Sequence, residues 1–259
     1  MKAVLLGATK GIGRALARGL VARGDRVFLL GRDRDEVQRS AGDLEVRAGT
    51  TAAGTATAGR SAGAGVAGTA ICDLEHPDGF ACALDEADAA LGGFDTVVVT
   101  AGLFAKQDRL ENDRALARRL LTVDFANTVV FCEEARARLL ARGGGTLCVF
   151  SSVAGERGRK PVVLYGAAKA GLSRYLEALD HKFRAAGLRT VCIKPGFVRT
   201  GMTDGLPVPP FAATADAVAA RAIRAIDRGK PVAYAPPIWA LVMLVIRWLP
   251  RFVMRRIGF

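Results

Sequence analysis

Ala3-Val-Leu-Leu-Gly7-Ala-Thr-Lys-Gly11-Ile-Gly13 opens the chain. Its apolar run, closed by a glycine, reads as a short buried strand. Beyond the glycines, Ile12, Leu16 and Leu20 fall on one face of a helix. Strand, glycine turn and amphipathic helix make the first half of a βαβ unit. Glycines there allow a tight turn and let backbone amides approach an anion at the helix N-terminus. The spacing G-x-x-x-G-x-G differs from the G-x-G-x-x-G of the familiar dinucleotide turn. In isolation it could be any turn, so the rest of the chain must decide its ligand.

Working outward, strand-like runs alternate with helical patterns. Arg26–Leu30, Thr69–Cys72, Asp95–Thr100, Thr146–Ser151 and Arg189–Lys194 read as strands, with Val232–Tyr234 a seventh. Helical patterns cover Leu116–Leu140, Tyr165–Ala186 and Thr214–Asp227. This alternation predicts an α/β fold: one Rossmann-type doubly wound parallel sheet with helices on both faces. It spans residues 1–235, with residues 236–259 as an apolar and basic helical tail. Between Arg47 and Gly68 the sequence is almost all Ala, Gly and Thr, which reads as a long flexible loop. No internal repeat is visible.

At 259 residues the chain can bury a substantial core. Cys72, Cys82, Cys132, Cys148 and Cys192 are scattered without a C-x-x-C, as expected of free thiols in a reducing, cytoplasmic compartment. With only His76 and His181, no metal site is expected. The first strand leads straight into the glycine turn, so it is not a signal peptide, and no run reaches the ~20 apolar residues of a membrane span. The net charge of +12 comes without an aromatic-basic patch or a nucleic-acid motif. An anionic cofactor, substrate or membrane explains it better than nucleic acid.

Tyr165-Gly-Ala-Ala-Lys169 carries the chemistry, with Ser152 thirteen residues upstream. A Tyr and a Lys four apart share one helix face. A free phenol titrates near pH ~10. Lowering that by about three units requires roughly 4 kcal/mol of preference for the ionised form, which a nearby ammonium in a half-dry site can supply. Ser152 ends a buried strand, so its hydroxyl projects from the strand's C-terminal end. A phenol acid, a cation and a hydroxyl donor suit protonation of a ketone oxygen during hydride delivery. After the second strand comes Leu30-Gly31-Arg32-Asp33. Arg32, with Lys10 in the glycine turn, is placed to meet a 2′-phosphate, which predicts NADP; if Asp33 binds the ribose instead, the cofactor is NAD.

These segments together resemble the short-chain dehydrogenase/reductase family over nearly the whole chain. The resemblance implies that Gly7, Thr9, Lys10, Gly11, Ile12 and Gly13 form the cofactor loop. It puts Asp73 and Leu74 of Cys72-Asp-Leu74 at the adenine, and Thr100-Ala101-Gly102 where the family usually has Asn-Ala-Gly. It makes Ser152, Tyr165 and Lys169 the catalytic trio. In Lys194-Pro-Gly-Phe-Val-Arg-Thr200 it assigns Pro195, Gly196, Val198 and Thr200 to the nicotinamide and pyrophosphate. The family's fourth catalytic position, usually Asn, falls on Asp124 in Thr122-Val-Asp-Phe125; Asn127 is out of register. The usual Asn works largely through its backbone carbonyl, so Asp124 can serve, although its charge could alter the proton relay. A dimer or tetramer built on the long helices is also implied.

The C-terminal half is further similar to the decaprenylphosphoryl-2-keto-erythro-pentose reductases, through Ser151–Lys160, Tyr165–Gly171, Tyr234-Ala-Pro-Pro237 and the tail. That likeness implies a keto sugar on a polyprenyl phosphate as substrate, a cell-wall precursor, and a flavin oxidase as partner. The tail fits it physically. Ile238–Leu249 is apolar save for Arg247, and Trp239, Trp248 and Phe252 stand beside Arg251, Arg255 and Arg256. This suits the inner face of a membrane; packing against the body or a sister subunit is the competing expectation. Gly201–Pro210 reads as a substrate lid, and Arg157, Arg159 and Lys160 as holders of an anionic head group or as surface charges. Two alternatives stay open: a reductase of a fatty-acyl, steroid-like or small ketone, and a non-enzymatic dinucleotide sensor.

Overall fold

The computed structural model describes residues 1–54 and 65–258. The chain runs β1 (Lys2–Leu6), α1 (Gly11–Ala22), β2 (Arg26–Gly31), α2 (Arg34–Gly54), β3 (Gly65–Ile71), α3 (Phe80–Leu91), β4 (Thr96–Val99), α4 (Gln107–Asn112) and α5 (Arg114–Leu121). It continues with α6 (Asn127–Ala141), β5 (Gly145–Phe150), α7 (Val163–Phe183), β6 (Leu188–Pro195), β7 (Val198–Arg199), β8 (Ala213–Thr214), α8 (Ala215–Asp227), β9 (Val232–Ala235), α9 (Ile238–Trp248) and α10 (Arg251–Arg256).

The main sheet has the order β3-β2-β1-β4-β5-β6-β9, with every pair parallel. Its central strands β1, β2, β4, β5 and β6 are buried on both faces, as their apolar runs require, while the edge strands β3 and β9 are only partly covered. Ala3 and Leu5 point into one core layer under α1, α2 and α8. Val4 and Leu6 point into the other, under α3, α6 and α7, where Phe80 and Phe131 meet edge to face at 5.5 Å. The strand order reverses between β1 and β4, and in such sheets ligands bind outside the carboxyl ends of the strands at that switch.

Two expectations are corrected. Residues 47–54, read as loop, continue α2, and residues 65–68 already belong to β3. Alanine favours a helix wherever nothing opposes it, and Arg47 pairs with Asp43 one turn back at 2.9 Å. Residues 55–64 of that stretch lie outside the described residues. The long helix expected over Leu116–Leu140 is interrupted by one π-helical turn, Thr122–Ala126, centred on Asp124. Such turns re-aim a side chain without ending the helix and concentrate at functional sites. Among the described residues no helix is long and apolar enough to cross a membrane.

Candidate active site

The glycine turn lies at the switch point. Gly7 (φ +94°) ends β1 so close to β4 that a Cβ there would stand 2.5 Å from Ala101 N. At Gly13 a Cβ would strike the Gly7 carbonyl and lie 2.5 Å from Thr100 Oγ1. The Thr100 hydroxyl, where an Asn was the family's usual residue, lies 3.1 Å from both the Leu6 and Gly7 carbonyls and ties the two strand ends together. Thr200 stands over the turn, its Cγ2 3.3 Å from where a Gly11 Cβ would be. Lys10 is the N-cap of α1, and its ammonium, a donor only, cannot cap the first-turn amides, which suit an anion. This narrow turn, where glycines let the backbone approach closely, fits a dinucleotide pyrophosphate.

Around this turn the predicted residues fall into place unevenly. Arg32 is exposed just past β2. Asp33 Oδ1 accepts from Glu36 N at 3.0 Å and so caps α2. Lys10 is paired with Glu36 at 2.5 Å on the surface. Asp73 Oδ1 accepts from Glu75 N, and the Leu74 carbonyl accepts from Asn127 Nδ2 at 2.6 Å. Asn127 therefore holds the segment after β3. Thr200 caps the turn Gly201–Thr203, with Thr203 bonded back to it, and the β7–β8 pair pins both ends of the expected lid.

The three residues expected to be catalytic, Ser152, Tyr165 and Lys169, come from the end of β5 and from α7. Ser152 follows β5, its Oγ accepting from Ala154 N at 3.1 Å and hydrogen-bonded to the Tyr165 phenol. Lys169 Nζ is 5.6 Å from the Tyr165 ring centre. Asp124 is fully buried. Its Oδ2 lies 3.4 Å from Lys169 Nζ, and its Oδ1 accepts from Leu103 N at 2.5 Å. Gly102 fits between these groups: a Cβ there would be 3.2 Å from Asp124 Oδ1 and 3.4 Å from Lys169 Nζ.

The electrostatics depart from the expected depressed phenol. Burial pushes Tyr165 up; Lys169 and Ser152 pull it down, Asp124 pushes it further up, and the net direction is upward. Burial lowers Lys169, but Asp124 and Tyr165 hold it above its ordinary value. Burial raises the Asp124 carboxyl against the pull of Lys169 and the Leu103 amide. The ammonium expected to serve the phenol is shared with a carboxylate.

Sequence reasoning missed the supports of this site. Ser151 Oγ bonds the Lys169 carbonyl and Ser173 Oγ, both at 2.8 Å, and so locks α7 to β5. Buried Gln107 accepts from Leu164 N at the start of α7. Phe104 stands edge-on to Tyr165 at 5.2 Å. The doubled serine was a visible signal; the other two depend on long-range packing. The tail also docks onto the site's rim. Arg157 donates to the Leu249 carbonyl at 2.8 Å and Lys160 to the Arg255 carbonyl at 2.7 Å. Those two cations hold helix ends of the tail, where their charge complements the dipole.

The short chain dehydrogenase family pattern matches residues 1–207. An uncharacterized oxidoreductase of Mycobacterium tuberculosis is 34% identical over 98% of this chain and 95% of its own length. A cis-4-hydroxycyclohexanecarboxylate dehydrogenase of Sinomonas cyclohexanicum is 30% identical over 79% of this chain and 76% of its own. Among solved structures, a short-chain type dehydrogenase/reductase from Mycobacterium ulcerans superposes with a TM-score of 0.77 at 20% identity, covering 98% of this chain and 97% of that one.

Proposed function

This chain belongs to the short chain dehydrogenase family, an NAD(P)-dependent oxidoreductase of the CH-OH/C=O couple, and we propose that it works as an NADPH-dependent ketoreductase. The observation that carries this reading is the convergence of Ser152, Tyr165 and Lys169 beside the glycine turn. When bound, the reduced nicotinamide supplies the hydride. Tyr165 donates its phenolic proton to the ketone oxygen, and an upward-shifted phenol is protonated and ready to do so at neutral pH. Ser152 donates a hydrogen bond to that oxygen as charge develops. Lys169 favours the phenolate left behind and binds ribose, and Asp124 anchors Lys169 and the Leu103 backbone. Gly7, Thr9, Gly11, Ile12 and Gly13 take the pyrophosphate, Asp73 and Leu74 the adenine side, and Ala101, Gly102, Pro195, Gly196, Val198 and Thr200 the nicotinamide side. NADPH over NADH is supported by Arg32 standing exposed after β2 while Asp33 is engaged as the cap of α2.

For substrate, the reading is a keto sugar carried on a polyprenyl phosphate. Support comes from the likeness of Ser151–Lys160, Tyr234–Pro237 and the tail to reductases of such sugars, and from the tail's outer face. Leu241, Leu244, Val245, Trp248 and Phe252 are exposed there beside exposed Arg251, Arg255 and Arg256, which suits contact with a lipid surface. A second reading, oxidation or reduction of a cyclic hydrophobic alcohol or ketone, is favoured by the named activity of the Sinomonas relative. The test is oxidation of NADPH and NADH by the purified protein, with a polyprenyl-phosphoryl 2-keto-pentose and a panel of simple and cyclic ketones. Turnover confined to NADPH and the lipid-linked sugar is expected, and Tyr165→Phe should abolish it while cofactor still binds. Turnover only on simple or cyclic ketones overturns the lipid-linked substrate.

A further inference from the structure

Glu156 lies outside the catalytic trio, yet its side chain is only 5% exposed. It directly follows the turn Val153–Gly155 that Ser152 caps. A carboxylate this deep requires compensating partners, and three come from three other places in the chain. Lys194 Nζ, 11% exposed, donates to Oε1 from the end of β6. Tyr234 of β9 hydrogen-bonds the same carboxylate. Arg247 of α9 lies 3.4 Å from Oε2.

Lys194 immediately precedes Pro195-Gly196, and the Gly196 amide donates to the Ala235 carbonyl at 3.0 Å. Trp239 of α9 covers that same turn: its indole would collide with any Cβ at Gly196, and its Nε1 is buried with no hydrogen-bond partner among the described residues. Val153, Met243 and Ile246 close the contact from the apolar side. The tail is thus seated on two walls of the site, the Ser152 turn and the Pro195-Gly196 turn, and one carboxylate joins both walls to it.

We propose that Glu156 is a positioning residue: through Lys194, Tyr234 and Arg247 it fixes the Pro195-Gly196 turn against the Ser152 turn, so that α9 is a working part of the cofactor site. The inference rests on the reading of that turn as a nicotinamide contact. It also makes the chain its own reporter. The sequence holds two tryptophans, Trp239 on the turn and Trp248 on the outer face, 81% exposed.

The experiment is a titration of the full chain with NADPH, and separately NADH, following energy transfer from tryptophan to the reduced nicotinamide. Glu156→Gln should raise the NADPH Kd about tenfold in protein that circular dichroism shows to be folded. Arg247→Gln, a change at a half-exposed side chain that keeps the test open if Glu156→Gln does not fold, should raise it in the same direction. Because both act through one carboxylate, the double variant should bind no worse than Glu156→Gln. Wild-type transfer with Kd unchanged within about twofold in the folded variants, or single effects that simply add, would overturn the positioning role alone. Absence of transfer and of binding by either nucleotide in the wild type would remove the cofactor reading, and this inference with it.

Discussion

Lys169 faces two groups that compete for its charge, the Tyr165 phenol and the Asp124 carboxylate. A carboxylate near the phenol disfavours the phenolate, so removing it must lower the phenol's titration. Asp124→Asn keeps an oxygen able to accept from the Leu103 amide and keeps the shape. We expect its acid limb for alcohol oxidation, where Tyr165 must be ionised to act as base, to move to lower pH than in the wild type. The alkaline limb for ketone reduction, where Tyr165 must be protonated, should move the same way. Profiles of kcat/KM against pH in both directions check this; superimposable profiles would leave Asp124 as a helix residue bonded to the backbone. The identity of Asp124 and its departure from the family's usual Asn were legible in the sequence. Its partners were not legible, because the π-helical turn that aims it at Lys169 leaves no mark in apolar periodicity.

At the scale of the element, strand runs and the glycine turn were readable because each is decided locally, by an apolar run or by a backbone that needs room. The extension of α2 was not, because Ala and Gly in sequence say little about which neighbours will support them. Two glycines in helices show how context decides. Gly42 lies exposed within α2, and a Cβ there meets nothing within 4 Å. Gly42→Ala should therefore stabilise by roughly 0.5–1 kcal/mol, the ordinary helix preference for alanine. Gly13 lies in α1, where the same preference operates, but its Cβ would strike the Gly7 carbonyl and crowd Thr100. Overpacking of this kind costs about 1–3 kcal/mol or more and outweighs the helix gain, so Gly13→Ala should destabilise and weaken nucleotide binding. Thermal melts with and without NADPH read both; a Gly13→Ala protein as stable and as tightly binding as the wild type would mean the turn is not the close approach described.

For the molecule as a whole, the question is what its +12 charge and uncovered tail are for. The sequence showed the composition of the tail but not its seating, which depends on Glu156, Arg157 and Lys160 far away in the chain. That seating divides α9 into an inner face, with Met243 and Ile246 buried, and an outer one, with Leu241 61% and Val245 58% exposed. Arg247 is engaged inward, which leaves Arg251, Arg255 and Arg256 for an outer partner. At about 1 kcal/mol per cation near an anionic lipid surface, three arginines favour it over a neutral one by about 3 kcal/mol, roughly 150-fold in partition. The intact chain should therefore co-sediment with phosphatidylglycerol vesicles and much less with phosphatidylcholine. Salt should release it, since the Debye length falls from about 10 Å at 0.1 M to about 3 Å at 1 M. Trp248→Ala should weaken the binding while leaving NADPH affinity unchanged, because that side chain faces away from the cofactor turn. Equal and negligible partition into both vesicles, together with self-association that Trp248→Ala reverses in sedimentation velocity, would assign the outer face to a second copy of the chain instead.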